Sequence, residues 1–184
     1  SGVLLHPSSL PGPYGIGEIG ADARRWVELL GEMNQRLWQL LPITPPGTAF
    51  SPYQGRSSFA GDVMLLSLDD LVRDGLLSAA EVAPLRVEAS TLDFEWLALR
   101  RPPVLRKAAL RFIADADASQ RSAFEAFCHQ QEYWLQDYAR YQAVKNARAG
   151  DPWLSWPTEL RAREPQALET VDFELAGAIR VEKA

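Results

Sequence analysis

The stretch Arg36–Gly61, RLWQLLPITPPGTAFSPYQGRSSFAG, decides how the chain is read. Its opening residues, Arg36-Leu37-Trp38-Gln39-Leu40-Leu41, are bulky and mostly apolar and are stopped by Pro42, the pattern of a strand buried on both faces. Pro42–Gly61 then crowds prolines, glycines and hydroxyl residues around Phe50 and Tyr53, so it reads as a loop leaving the carboxyl end of that strand. In barrels and open α/β sheets such loops carry the binding groups. Pro52 fixes its own φ and holds Ser51 extended, which presents the Ser51 hydroxyl, the Tyr53 phenol and the Gln54 amide together on a stiff support. This set suits a hydroxyl-covered ligand with an apolar ring face. The same residues also read as a proline-stiffened turn whose tyrosine caps the core, and the local sequence leaves both readings open.

Upstream, Gly2-Val3-Leu4-Leu5-His6 is a short apolar run stopped by Pro7, and Ser8–Gly15 is a turn-rich loop. Ile19, Ala23, Trp26, Val27 and Leu30 then recur on one face of a helix expected from Gly20 to about Asn34. Strand, helix and strand make a βαβ unit with parallel strands. Gly15-Ile16-Gly17-Glu18-Ile19-Gly20 is a literal GxGxxG at the helix start. It lacks the context of a dinucleotide site, because a long proline-rich loop separates it from the strand and no acidic residue stands between Arg36 and Phe50. His6, at the strand end, either faces a ligand or is satisfied beneath the following loop.

Downstream the alternation stops. Val63–Ser67 reads as a brief extended segment, and Asp69-Asp70 starts a helix that closes by Gly75. Ser78 is placed as an N-cap before Ala79-Ala80-Glu81. A short helical piece over Thr91–Arg100 is expected to stop at Pro102-Pro103. From Pro103, Leu105, Ala108, Ala109, Phe112 and Ile113 form a stripe, followed by helices over Ser122–Gln131 and Glu132–Ala149. Trp134, Tyr138 and Tyr141 mark the expected core side of the second. Asp151–Pro157 reads as a turn, Thr158 as the cap of a short helix to Arg163, and Pro165 as the start of a final helix toward Val181. The chain therefore divides into a βαβ start over 1–67 and a helical remainder over 68–184. Two or three parallel strands cannot cover both faces of a sheet, so the chain reads as a piece of a larger α/β protein.

Composition narrows the partners. The chain has 184 residues and 20.5 kDa, with 47% hydrophobic residues, enough for a sizeable core. A net charge of −5, pI near 5.1 and scattered basic residues speak against nucleic acid. No apolar run is long enough for a membrane span, and the expected location is cytoplasmic. Cys128 alone excludes an internal disulfide, and with His6 and His129 it cannot complete a nitrogen and sulfur zinc site. Cys128 and His129 are neighbours, which on a helix point about 100° apart, so they form no dyad. No cofactor or metal is expected.

SGVLLHPSSLPGPYGIGEIG at Ser1–Gly20, Trp38-Gln39-Leu40-Leu41-Pro42, Ser51-Pro52-Tyr53-Gln54 and Ser58-Phe59-Ala60-Gly61 resemble successive signatures of the amylomaltase family, the 4-alpha-glucanotransferases of the α-amylase superfamily. Trp134-Leu135-Gln136-Asp137-Tyr138-Ala139 and Trp156-Pro157 with Leu160-Arg161 are similar to that family's helical insertion, so the resemblance spans essentially the whole chain. It implies a partial (β/α)8 TIM barrel, first strands only, over 1–67, with a mainly α-helical inserted subdomain over 68–184. It further implies transfer of α-1,4-glucan segments between malto-oligosaccharides with retention, through an aspartate nucleophile, a glutamate acid/base and a second aspartate. By the family's layout those carboxylates come from later strands, so no catalytic residue is expected here and the remainder of the same barrel is an expected partner. Asp62, Asp69 and Asp70 receive no catalytic role. Ser51 and Tyr53 match family positions that contact the donor sugar. Gly47-Thr48-Ala49-Phe50 departs from the family's frequent glycine, tyrosine, glycine, aspartate, so an aromatic glucan contact at Thr48 is lost, and Asp62 replaces a common asparagine. A rival expectation is a non-catalytic glucan-binding or helical interaction module that has kept the signatures and lost the chemistry.

Overall fold

The computed structural model describes residues 1–47, 50–87 and 93–184. Chain packing separates two compact units, Ser1–Ala108 and Ala109–Ala184, which are taken in turn.

In the first unit, β1 (Gly2–Leu4) and β2 (Leu37–Gln39) pair in parallel with Gly2 opposite Leu37, Val3 opposite Trp38 and Leu4 opposite Gln39. Helix α1 (Ala21–Glu32) connects them, giving the expected βαβ unit. The Trp38 indole N–H donates to the Leu5 carbonyl (2.8 Å), extending the tie past the ladder. The expectation of a strand buried on both faces fails in this chain: Leu37 is 69% exposed and Leu4 54%. A two-stranded sheet has too few neighbours to cover those side chains, and the apolar run carries more hydrophobic surface than this unit buries. The α1 stripe is likewise half used, with Ala23 and Leu30 buried and Val27 exposed.

The core of this unit lies away from the sheet. Tyr14, Leu68, Leu77, Val82, Leu85, Leu105 and Ala108 form it, with Ile16, Leu65 and Leu97 as a second cluster. The proline- and glycine-rich run after β1 is thus folded inward, and the GxGxxG glycines serve its packing. A Cβ on Gly17 would overlap the Pro7 and Leu10 backbone, and one on Gly20 would strike the Ser67 side chain. Val63–Leu65, expected to be extended, is a 3-10 turn because the Asp62 carboxylate accepts from the Met64 N–H (3.0 Å). Extended character survives only as a parallel bridge between Ile19 and Leu66.

Helix α2 (Leu68–Arg73) is capped by Ser67, whose Oγ accepts from the Asp70 N–H (3.1 Å), with Asp69 and Asp70 in its first turn. Helix α3 (Ala79–Val82) begins at Ser78, whose N–H and hydroxyl donate to the Glu81 carboxylate at 2.8 and 3.0 Å. Helix α4 (Phe94–Asp115) corrects the expected break: it runs through Pro102-Pro103 without stopping. The prolines remove two internal hydrogen bonds, but the freed carbonyls of Ala98 and Leu99 lie on an exposed stretch, and Arg101 in the same turn is anchored in the interior. Thr91 and Leu92, part of the expected short helix, lie outside the described residues. Because α2, α3 and the first part of α4 pack around Tyr14, the compact unit extends to Ala108, beyond the point near 67 where strand and helix cease to alternate.

The second unit contains α5 (Ala118–Gln130), α6 (Glu132–Ala147), α7 (Thr158–Arg161), α8 (Pro165–Glu174) and α9 (Ala176–Lys183). Its core is Ala139, Ala143, Val144, Trp156, Val171 and Ile179. The expected aromatic core face of α6 is rotated: Leu135, Ala139 and Ala143 are buried, whereas Trp134, Tyr138 and Tyr141 sit half-buried beside them. Small residues let α9 approach α6 closely, which a row of large rings would prevent. The expected single final helix is two, interrupted at Leu175, whose side chain packs on the same core. Among the described residues no helix is long and apolar enough to cross a membrane.

Candidate functional site

The loop after β2 is pinned by its own backbone. Pro46 and Gly55 form an antiparallel bridge, the Arg56 N–H donates to the Pro45 carbonyl (2.8 Å), and the Asp62 N–H donates to the Ile43 carbonyl (2.8 Å). At its tip the Gln54 N–H donates to the Ser51 carbonyl (3.1 Å), closing a turn with Pro52 and Tyr53 at its centre. The Tyr53 backbone N–H donates to Ser51 Oγ at 3.4 Å, so the Ser51 hydroxyl is held against the turn while the Tyr53 phenol takes no part in that contact. Phe50 takes φ 53°, unusual for a bulky residue, and stacks on Phe94 of α4 with ring centroids 5.1 Å apart. That stack ties the loop to the first turn of α4.

Tyr53 is 73% exposed, which removes the reading in which it caps the core. Ser51 is half-buried beside it and Gln54 is exposed, so a hydroxyl, a phenol and an amide face outward from one short turn. Thr48 lies outside the described residues. Ser57 caps the turn that follows, its Oγ accepting from the N–H groups of Phe59 (3.1 Å) and Ala60 (3.0 Å).

His6 serves first as a local cap. Its Nδ1 accepts from the Ser8 N–H (3.3 Å) and lies 2.7 Å from the Ser8 hydroxyl, holding the turn at Pro7–Ser9. Its Nε2 is buried and has no hydrogen-bond partner among the described residues. Burial raises the Asp62 carboxyl above its usual range, with the Met64 N–H, the His6 ring, Arg101 and Arg56 pulling it back. The other acidic residues near the loop are engaged structurally. Asp69 accepts from the Tyr14 hydroxyl, and burial together with that bond pushes the phenol up to about 12. Asp70 pairs with Arg24 (3.2 Å) and Arg73 (2.6 Å), and the Arg24 bond holds its carboxyl below the ordinary range. None of the three is arranged as a free acid or nucleophile. In the second unit, the Cys128 thiol is pushed up by burial and His129 is exposed 3.8 Å from Glu132, so these neighbours form no dyad.

One buried network escaped the sequence reading. Arg101, 1% exposed, donates through Nη2 to Glu18 Oε1 (2.5 Å) and to the Leu66 carbonyl (2.5 Å), while the Leu68 N–H donates to the other Glu18 oxygen (3.1 Å). Burial raises the Glu18 carboxyl and the Arg101 guanidinium opposes that rise. The network joins the segment before α1, the segment after the loop and α4, bracing the stretch that follows the Tyr53 loop.

Comparison with known proteins gives this site a setting. Residues 5–184 match the family described as 4-alpha-glucanotransferase. The chain belongs to that family. It is 40% identical to the 4-alpha-glucanotransferase of Thermus thermophilus over 175 residues, covering 95% of this chain and 34% of the relative. A Streptococcus pneumoniae 4-alpha-glucanotransferase is also 40% identical, with 96% of this chain and 35% of the relative covered. Among solved structures, an amylomaltase from Streptococcus agalactiae in complex with acarbose superposes with a TM-score of 0.91 at 31% identity, covering 99% of this chain and 37% of that one. The chain thus spans about a third of the length of the curated 4-alpha-glucanotransferases it matches. Within it the chemistry available at the loop is hydrogen bonding and ring stacking.

Proposed function

We propose that this chain is the amino-terminal part of a retaining 4-alpha-glucanotransferase that moves α-1,4-glucan segments between malto-oligosaccharides. The observation that carries the reading is Tyr53, exposed on a pinned loop at the carboxyl end of a parallel strand, in a chain of this family. Residues 1–67 would begin a (β/α)8 barrel and 68–184 would form its helical insertion. The exposed apolar side chains of β1 and β2 support this, since further barrel strands and helices would cover them.

In this reading Ser51 and Tyr53 form part of the donor-side wall, the phenol ring lying against a sugar face and the hydroxyls orienting it. A carboxylate elsewhere in the barrel attacks the anomeric carbon while a carboxylic acid protonates the departing 4-oxygen. The same acid, now deprotonated, takes the proton from an acceptor 4-hydroxyl as that oxygen displaces the enzyme. Two inversions give retention. This chain supplies no reacting group, and its contribution is to hold the donor ring in place. The reading places the protein in the cytoplasm, where the free thiol of Cys128 is stable.

The 184-residue chain alone is expected to release neither glucose nor longer maltodextrins from maltotriose. Chromatography of the products against a no-protein control checks this, and product formation by the chain would move the reacting carboxylates into it.

A further inference from the structure

The second unit contains a pocket of about 370 Å³ that the reading above does not use. Its wall is aromatic. Trp156, 7% exposed, packs against Tyr141 with centroids 5.2 Å apart, and Trp153, 45% exposed, presents ring surface to solvent. Both tryptophans come from the tight Asp151–Pro157 segment, where the Trp156 indole N–H is fixed on the Asp151 carbonyl (3.2 Å).

The polar rim is equally ordered. Arg140 is held by a two-point fork to the Asp172 carboxylate (2.7 Å each), and Asp137 of α6 accepts one bond from Arg140 (2.7 Å) and one from Arg163 (2.7 Å). Arg163 reaches the rim from a residue with φ 58°, a conformation that glycine or asparagine would adopt at lower cost. Arg161, also on the rim, bonds only the Thr158 hydroxyl (3.3 Å) among the described residues and pairs with no carboxylate.

This chemistry selects its occupant. A purely apolar ligand would bury the Arg161 guanidinium, which pairs with no carboxylate among the described residues, without a partner for its charge. A strong anion would meet Asp137, while Arg140 and Arg163 already hold carboxylates. A neutral ring bearing adjacent hydroxyls fits both halves: it can donate to Asp137, accept from Arg161 and lay an apolar face on Trp153. The volume lies within the range of small-ligand sites. We propose that this pocket, built wholly from the helical unit, is a second binding site for an α-1,4-glucan. The identity of the sugar rests on the glucanotransferase reading. A second attachment point would raise the local concentration of a long glucan without adding contacts where the reaction occurs.

Native gel electrophoresis of the intact enzyme through soluble amylose tests the proposal. Trp153→Ala and, separately, Arg161→Gln should each weaken apparent amylose affinity by about tenfold, the loss of one good stacking or hydrogen-bonding contact. Trp153 is half exposed and Arg161 lies on the rim, so neither change removes the core, and a melting curve on each variant verifies this. Unchanged retardation of both folded variants, or no retardation of the unmodified enzyme, overturns the second site. Maltotriose transfer by the unmodified enzyme, measured alongside, reports separately on the glucanotransferase reading.

Discussion

Replacing Tyr53 by alanine in the complete enzyme should lower kcat/KM for maltotriose transfer by roughly ten- to a thousandfold, about 1.4–4 kcal/mol of transition-state stabilisation. The side chain is 73% exposed in this chain, so its removal opens no cavity. Melting temperature should therefore barely move, whereas loss of a core aromatic costs about 3–5 kcal/mol. The loop itself should survive, because its shape is set by the Pro46–Gly55 bridge and by Arg56 and Asp62 backbone bonds, none of which uses the phenol. A large fall in melting temperature with unchanged kcat/KM in the folded fraction would make Tyr53 structural and withdraw it from the site.

The second large effect concerns stability. Arg101→Met should destabilise the protein by about 3–5 kcal/mol, because it strands the Glu18 carboxylate in the interior and leaves the Leu66 carbonyl without its donor. The double change with Glu18→Leu should recover much of that loss, since removing both charges removes the uncompensated one. Urea unfolding of the two single variants and the double variant measures the coupling. A loss below about 1 kcal/mol for Arg101→Met would mean that the pair is hydrated and does not brace the segment after the loop.

The βαβ start was legible because its signals are local: two apolar runs stopped by Pro7 and Pro42 flank a helical stripe, and the parallel pairing follows from the connection. The caps at Asp62, Ser67 and Ser78 act within three residues, although only Ser78 was read as one. What was hidden depends on distance. Nothing near Glu18 announces a partner 83 residues away, and without that anchor Pro102-Pro103 reads as a helix end. The aromatic stripe of α6 misled because large rings usually mark a core, whereas here close approach by α9 demanded alanines one step round the helix. At the loop, the stiffness of Ser51-Pro52-Tyr53 was readable, but the direction of Tyr53 was decided by backbone bonds that span the whole loop. The second pocket was unreadable for the same reason: Asp137, Trp153 and Arg161 meet only after the helices of their unit pack.

The central claim is that this chain belongs to an enzyme that transfers α-1,4-glucan segments with retention. It is tested most directly by incubating the intact enzyme with maltotriose and following products and anomeric configuration by proton NMR. The account predicts glucose together with maltodextrins longer than maltotriose, and new linkages in the α configuration. Absence of any longer product, or a first-formed product in the β configuration, would contradict it.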